Sequence, residues 1–297
     1  MKIAILCIAL AVAGAACRKG DRNAAPVKAA TVSGFQTPES VKWDSAQDVY
    51  FVSNINGAPN AKDGNGFISR VGPAGTMLDS AFIAGGKNGV TLNAPKGMAS
   101  VGDTLWVTDI DVVRAFNART SAPIATVPVA GAIFLNDIAA APDGSLYVTD
   151  TAIRFGAAGV EHPGTDQIFR IAPDRTVSVA IKSDTLARPN GITWDTENGR
   201  FIIVPFGGGS IFAWKPGDAA PTAIGTGPGQ FDGVEIVNGA IWVSSWADSS
   251  VYRFANGAGT NAIKGVPSPA DIGYDAKRNR IIIPVFTANT IEIWQLQ

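Results

Sequence analysis

Residues Phe134–Asp150 read FLNDIAAAPDGSLYVTD. The second half is a turn, Pro142-Asp143-Gly144, followed by a run that alternates like a half-buried strand, Ser145-Leu146-Tyr147-Val148-Thr149. The first half is unusual. An adjacent polar pair, Asn136-Asp137, stands at the start of an apolar strand pattern.

The same phrase recurs along the chain. Pro38-Glu39-Ser40-Val41 leads to Val49-Tyr50-Phe51-Val52, and Pro95-Lys96-Gly97-Met98 leads to Leu105-Trp106-Val107-Thr108. Pro189-Asn190-Gly191-Ile192 leads to Phe201-Ile202-Ile203-Val204, and Phe231-Asp232-Gly233-Val234 leads to Ile241-Trp242-Val243-Ser244. Pro269-Ala270-Asp271-Ile272 leads to Ile281-Ile282-Ile283. With the Asn136 copy this makes six strand pairs, each followed by a third strand such as Gln167-Ile168-Phe169-Arg170. The period is roughly 40 to 55 residues, the length of a four-stranded blade, and no long helical pattern follows residue 30. One blade cannot bury both faces of its sheet, so the copies must stack in a ring. The expected fold is all-β, a six-bladed β-propeller over residues 31–297. The chain ends on a strand of the sixth copy, and Val32–Gln36 is the candidate to complete that blade and remove the open edge.

Composition agrees. Hydrophobic residues make up 46% of the 297-residue chain and charged residues 16%, enough apolar material for a large core. With a net charge of −1 and scattered Lys and Arg, the sequence has no electrostatic footprint for nucleic acid. Met1-Lys2 precedes an apolar run, Ile3–Val12, of signal-peptide length and short for a membrane span. Small residues then lead to Cys17, as in a bacterial lipoprotein signal, though Gly14 stands where that pattern usually has Leu. Residues 1–17 are therefore read as a signal with Cys17 as the lipidated residue, and 18–30 as a flexible tether. The expected location is the cell envelope, held by a lipid anchor in the periplasm or at the outer membrane. An ordinary secretory signal is the alternative. Cys7 and Cys17 are the only cysteines, so no disulfide is available to the domain, which is expected to be a monomer.

In a propeller the first strand of each blade lines the central channel. One position of the phrase runs Glu39, Lys96, Asn136, Asn190, Asp232, Ala270. Two carboxylates and two carboxamides offer hard oxygen donors, the chemistry of calcium, which takes about six to eight such ligands. Zinc would be expected to recruit His or Cys, and His162 and Cys17 are both outside the ring. The bland alternative is that these side chains merely solvate a wet channel.

The phrases TPESVKWD, FLNDIAAAPDGSLYVTD, RPNGITWD and FDGVEIVNGAIWVSS resemble the senescence-marker-protein/gluconolactonase family, and are similar to the paraoxonases. The likeness runs from about residue 35 to the end. It implies a six-bladed propeller with one calcium ion in the channel, hydrolysing small-molecule lactones or related esters. The metal would be held by Glu39, Asn190 and Asp232, with Asn136 either facing substrate or joining the metal. Asp232 is the implied general base, Asp137 the second candidate. Lys96 would orient substrate or the developing oxyanion, or pair with Glu39 or Asp232. Asp109 and Asp150, at the ends of second strands, would shape the entrance or cap turns, with Asp150 counted among the substrate contacts. Two departures matter. Members acting on sugar lactones carry Arg where this chain has Phe134, which points to a less polar substrate. The histidine pair of the paraoxonases has no counterpart. The competing class is a non-catalytic exported propeller with a structural calcium, serving as a binding platform.

Overall fold

The computed structural model describes residues 25–156 and 159–297. The signal segment and Cys17 lie outside them. Six four-stranded antiparallel sheets form the blades of a propeller, and no α-helix occurs among the described residues. The inner strands are Pro38–Asp44, Pro95–Val101, Leu135–Ala140, Pro189–Asp195, Phe231–Val237 and Gly273–Asp275. The ring closes as expected, but from further upstream. Val27–Ser33 pairs antiparallel with Thr290–Gln295, so Val27–Ala30, read from sequence as tether, is strand. The N-terminal strand thus completes the blade formed by the C-terminal ones.

Six apolar clusters fill the seams, one between each pair of neighbouring blades, and a small seventh gathers Ile55, Ala94 and Ile110. Phe51, Ile68, Met98 and Leu105 fill the seam between blades one and two. Val32, Phe35, Tyr50, Val52, Ile282 and Ile293 fill the closing seam between blades six and one. Strands buried on both faces explain why so many read as continuous Val/Ile runs.

The polar pair that opened the sequence problem is a β-bulge, and it repeats. From Pro38↔Asn54 to Val41↔Val52 the inner strand advances three residues while its partner advances two. The same shift falls at Pro95/Met98, Leu135/Ile138, Pro189/Ile192 and Phe231/Val234. Blade six follows suit between Pro269↔Val285 and Gly273↔Ile282. A bulge sets two residues against one and re-aims side chains, so two consecutive residues per blade can serve the channel.

Hydroxyls on the second strands answer the bulges. Ser53, Thr149 and Ser244 accept the N–H of Ser40, Asp137 and Gly233 at 2.9, 2.9 and 2.8 Å. Thr108, Thr149 and Ser244 also donate across the seam, to the carbonyls of Asn136, Asn190 and Ala270. Backbone groups that a bulge would orphan are thereby satisfied, and adjacent blades are stitched at the axis. The inner strands approach so closely that a Cβ on Gly233 would meet the Ile272 nitrogen at 2.3 Å, which only glycine avoids.

Candidate functional site

Glu39, Asn136, Asn190 and Asp232 each sit at the first bulge position of their inner strand, and each is less than a tenth exposed. The two amides are anchored through nitrogen. Asn136 Nδ2 donates to Thr151 Oγ1 at 3.2 Å, and Asn190 Nδ2 donates to the Phe231 carbonyl at 3.3 Å. That leaves Oδ1 of each as the uncommitted atom. Glu39 Oε2 and Asp232 Oδ1 are buried and accept no hydrogen bond. Four oxygens without a well-formed donor, one on each of four blades, could supply hard ligands to a cation.

The electrostatics agree. Glu39 is held well above the usual carboxylate range, first by burial and then by Asp232 and Asp271. Asp232 is raised by burial and by Asp271, against the Trp246 indole beside it, which favours the charged form. Buried carboxylates that repel one another stay protonated unless a cation compensates them. No three His, Cys, Asp or Glu side chains converge on a common point among the described residues, so the donor set depends on the two amides.

Lys96 is also in the ring but is not open to it. Its Nζ donates to the Ala94 carbonyl at 3.1 Å and lies 4.2 Å from the centroid of the Phe134 ring, leaving it 1% exposed. Burial lowers its pKa to about 8, while Glu39 and Asp109 pull the other way. The lysine is a covered counter-charge to Glu39. Phe134 in turn packs against Phe155, ring centroids 5.7 Å apart.

Two expected site residues sit elsewhere. Asp150 is fully buried, and its oxygens accept the N–H groups of Ile133, Phe134 and Ala152 at 3.0, 2.8 and 3.0 Å. It braces the approach to the third inner strand, as Asp109 does for the second through Asn93 and Ala94. Asp137 occupies the second bulge position, beneath the ring. Its oxygens accept the N–H groups of Ile138 and Ile192, both at 2.7 Å, and burial raises its pKa to about 7. It borders a lower chamber of about 260 Å³ with Asp271 and the Lys42–Glu235 pair, whose charged atoms are 3.5 Å apart.

Asp271 is the residue sequence reading passed over. Ala270 holds the ring position in blade six, but the bulge brings the next residue to the axis, where Asp271 accepts the Ser40 hydroxyl. Its backbone N–H bonds the Glu39 carbonyl at 2.8 Å, joining the first and last blades. The signal was the register shared with Asp137, one residue after the ring position. His162 lies away from the ring: it bonds Asp166 at 2.6 Å and lines a separate cavity with Arg188 and Gly207.

Among solved structures, a luciferin-regenerating enzyme is similar at 15% identity, with a TM-score of 0.67 over 91% of this chain and 94% of that one. A gluconolactonase from Xanthomonas campestris is similar at 17% identity, TM-score 0.65, over 92% and 95%. A chain of a nidogen/laminin complex is similar at 17%, TM-score 0.61, over 77% and 80%. At these identities the likeness is one of fold, and a fold does not fix a function. No curated protein matches the chain. The SMP-30/gluconolactonase/LRE-like region, however, matches residues 37–271, most of the chain and all six ring positions, and the protein belongs to that family.

Proposed function

We propose that the chain is a calcium-dependent hydrolase of lactones or related esters, acting at the upper ring of the channel. The observation that carries this is the set of uncommitted oxygens on Glu39, Asn136, Asn190 and Asp232. Family membership supports the reaction class. These four residues would hold calcium, which when bound supplies a Lewis acid for the ester carbonyl and the charge that develops on it.

The protein's own groups divide the remaining work. Asp232 Oδ1, with no protein donor, is the site to which an attacking water gives its proton. Asn136 is held by Thr151 so that its oxygen faces the channel. Lys96 offsets the charge of Glu39 from beneath Phe134. Asp137, tied to two backbone N–H groups, braces neighbouring inner strands and leaves the proton chemistry to Asp232. The N-terminal apolar run and Cys17 support an exported, lipid-anchored enzyme.

The test is turnover of a panel of lactones and aryl esters by the purified chain, with calcium and with chelator. Asp232→Ala should abolish both calcium binding and turnover. Unchanged calcium affinity in that variant would overturn the ring assignment. A chelator that lowers the melting temperature of a protein inactive on every ester would instead make the metal structural and the propeller a binding platform.

A further inference from the structure

A second ring lies directly on the polar one. In five blades the residue after the second strand donates its N–H to the carbonyl of the residue just ahead of the inner strand. The pairs are Ile55 to Thr37, Thr151 to Phe134, Phe206 to Arg188, Trp246 to Gln230 and Phe286 to Ser268. Those carbonyls stand two residues before the ring positions, so the donors sit at the channel rim. In blades four, five and six the rim residues are aromatic and in mutual contact. Phe206 and Trp246 meet edge-on at 5.8 Å between centroids, and Trp246 and Phe286 lie 5.3 Å apart. Phe286 continues onto Ile55, Ala94 and Ile110.

This arc differs from core in two ways. All three aromatics are only partly buried. The Trp246 Nε1–H is shielded from water and lies against Asp232, close enough to favour its charged form yet short of a well-formed hydrogen bond. Half-exposed aromatic surface beside a reactive ring gains free energy by covering with an apolar group, at about 25 cal/mol per Å². An unpaired buried donor gains by meeting an oxygen.

We infer that the arc Phe206–Trp246–Phe286 is the subsite for an alkyl or aryl group carried by the substrate, with the Trp246 N–H donating to an oxygen of the bound molecule. This rests on the hydrolase reading for the reaction and on the arc for the substrate class. The substrate is then a lactone or ester with an apolar substituent, and a polyhydroxylated lactone is disfavoured.

Two lactones of equal ring size, one unsubstituted and one bearing a phenyl group, test it. The wild-type chain should favour the phenyl lactone by about tenfold or more in kcat/KM, the scale on which an apolar pocket discriminates. Trp246→Ala and Phe286→Ala should each pull that ratio toward one, chiefly through KM, in variants whose circular dichroism matches wild type. Trp246→Phe should keep the preference while raising KM for both lactones. A ratio unchanged in both alanine variants overturns the subsite. The matching phenyl lactam, which resists hydrolysis, separates the two claims by calorimetry. Binding that weakens in the alanine variants, without turnover of any ester, upholds the subsite and removes the hydrolase. Turnover without phenyl preference does the reverse, and neither binding nor turnover overturns both.

Discussion

The Lys96 ammonium lies 4.2 Å from the centre of the Phe134 ring, and the two residues come from adjacent blades. The aromatic face both attracts the cation and keeps water from it. Such a contact contributes about 0.5–2 kcal/mol, more as the pair is desolvated. At the position where sugar-lactone enzymes of the resembling family carry a cation, this chain places an aromatic ring that roofs one.

Removing the roof should therefore be costly in two respects. Phe134 is 5% exposed, and Phe134→Ala should lower stability by about 3 kcal/mol through lost packing and lost contact with the cation. Water would then reach Lys96, and its pKa should climb from about 8 toward its ordinary value, because burial is the main cause of its depression. Carbon-13 NMR of the dimethylated lysine, assigned with Lys96→Arg, reads this directly. A titration unmoved by Phe134→Ala would show that Phe134 does not control access to the lysine.

The same group has a stability signature. An unfolded chain holds a proton on Lys96 up to about 10.5, the folded calcium-free chain only to about 8. Between those values the unfolded state binds more protons, so this residue makes stability rise with pH. Denaturant unfolding of wild type and Lys96→Met, compared from pH 8 to pH 10, should show the variant with the flatter rise. Parallel curves would count against a buried, proton-shedding lysine.

Calcium should compete with protons at the ring. Burial and neighbouring carboxylates hold Glu39, Asp232 and Asp271 protonated further up the pH scale than ordinary carboxylates. Ligands must be ionised to bind, so calcium binding should release protons and tighten as pH rises from 5 to 8, on the order of tenfold per proton released and pH unit. Calorimetry in buffers of different ionisation heat counts those protons. Binding with no proton release would mean the carboxylates are already ionised, against the burial seen for them.

Much of this was legible in the sequence, and the limits have physical causes. Six copies of one phrase report the blades because each must present the same strand to the same axis. Glu39, Asn136, Asn190 and Asp232 could be aligned because they share one bulge position. The bulge itself was hidden, since two adjacent polar residues at a strand's start read equally well as a turn. Asp271 was missed for that reason: in blade six the apolar Ala270 takes the first bulge position and the acid takes the second. The closing strand was placed too late because Lys28, Ala29 and Ala30 supply little apolar signal, and its pairing is with a strand more than 250 residues away. The aromatic arc left no local trace, as single residues such as Trp246 after a strand look like the strand's end.

The hydroxyl stitches give a further test. Thr149 accepts the Asp137 N–H at 2.9 Å and donates to the Asn190 carbonyl at 2.6 Å, all within buried surroundings. Thr149→Val keeps the shape and strands both groups, each orphan costing about 1–3 kcal/mol. Blade four carries Val204 at the equivalent place, so valine fits the strand itself. The expected loss is about 2–4 kcal/mol, or a melting point lowered by roughly 4–8 °C for a domain of this size. A variant that melts within a degree of wild type would show that water, or a shifted backbone, takes over the stitch.

Closure of the ring is where stability should be most exposed to a small change. Val27–Ser33 and Thr290–Gln295 are the first and last strands of the propeller, and their pairing completes the last blade. Beyond the strand, Phe35 is buried to 1% exposure in the seam between blades six and one. Phe35→Ala should cost about 3–5 kcal/mol by the cavity it leaves. Val27→Ala is the control, since Val27 is 56% exposed in the same strand and should change stability by less than about 0.5 kcal/mol. Hydrogen exchange adds the location. If the ring opens at this seam, Phe35→Ala should speed exchange first in Thr290–Gln295, while Val107 and Ile203, on the second strands of blades two and four away from the seam, keep their protection. Equal loss of protection in every blade would mean that the propeller unfolds as one unit and that the closing strand is no weaker than the other seams.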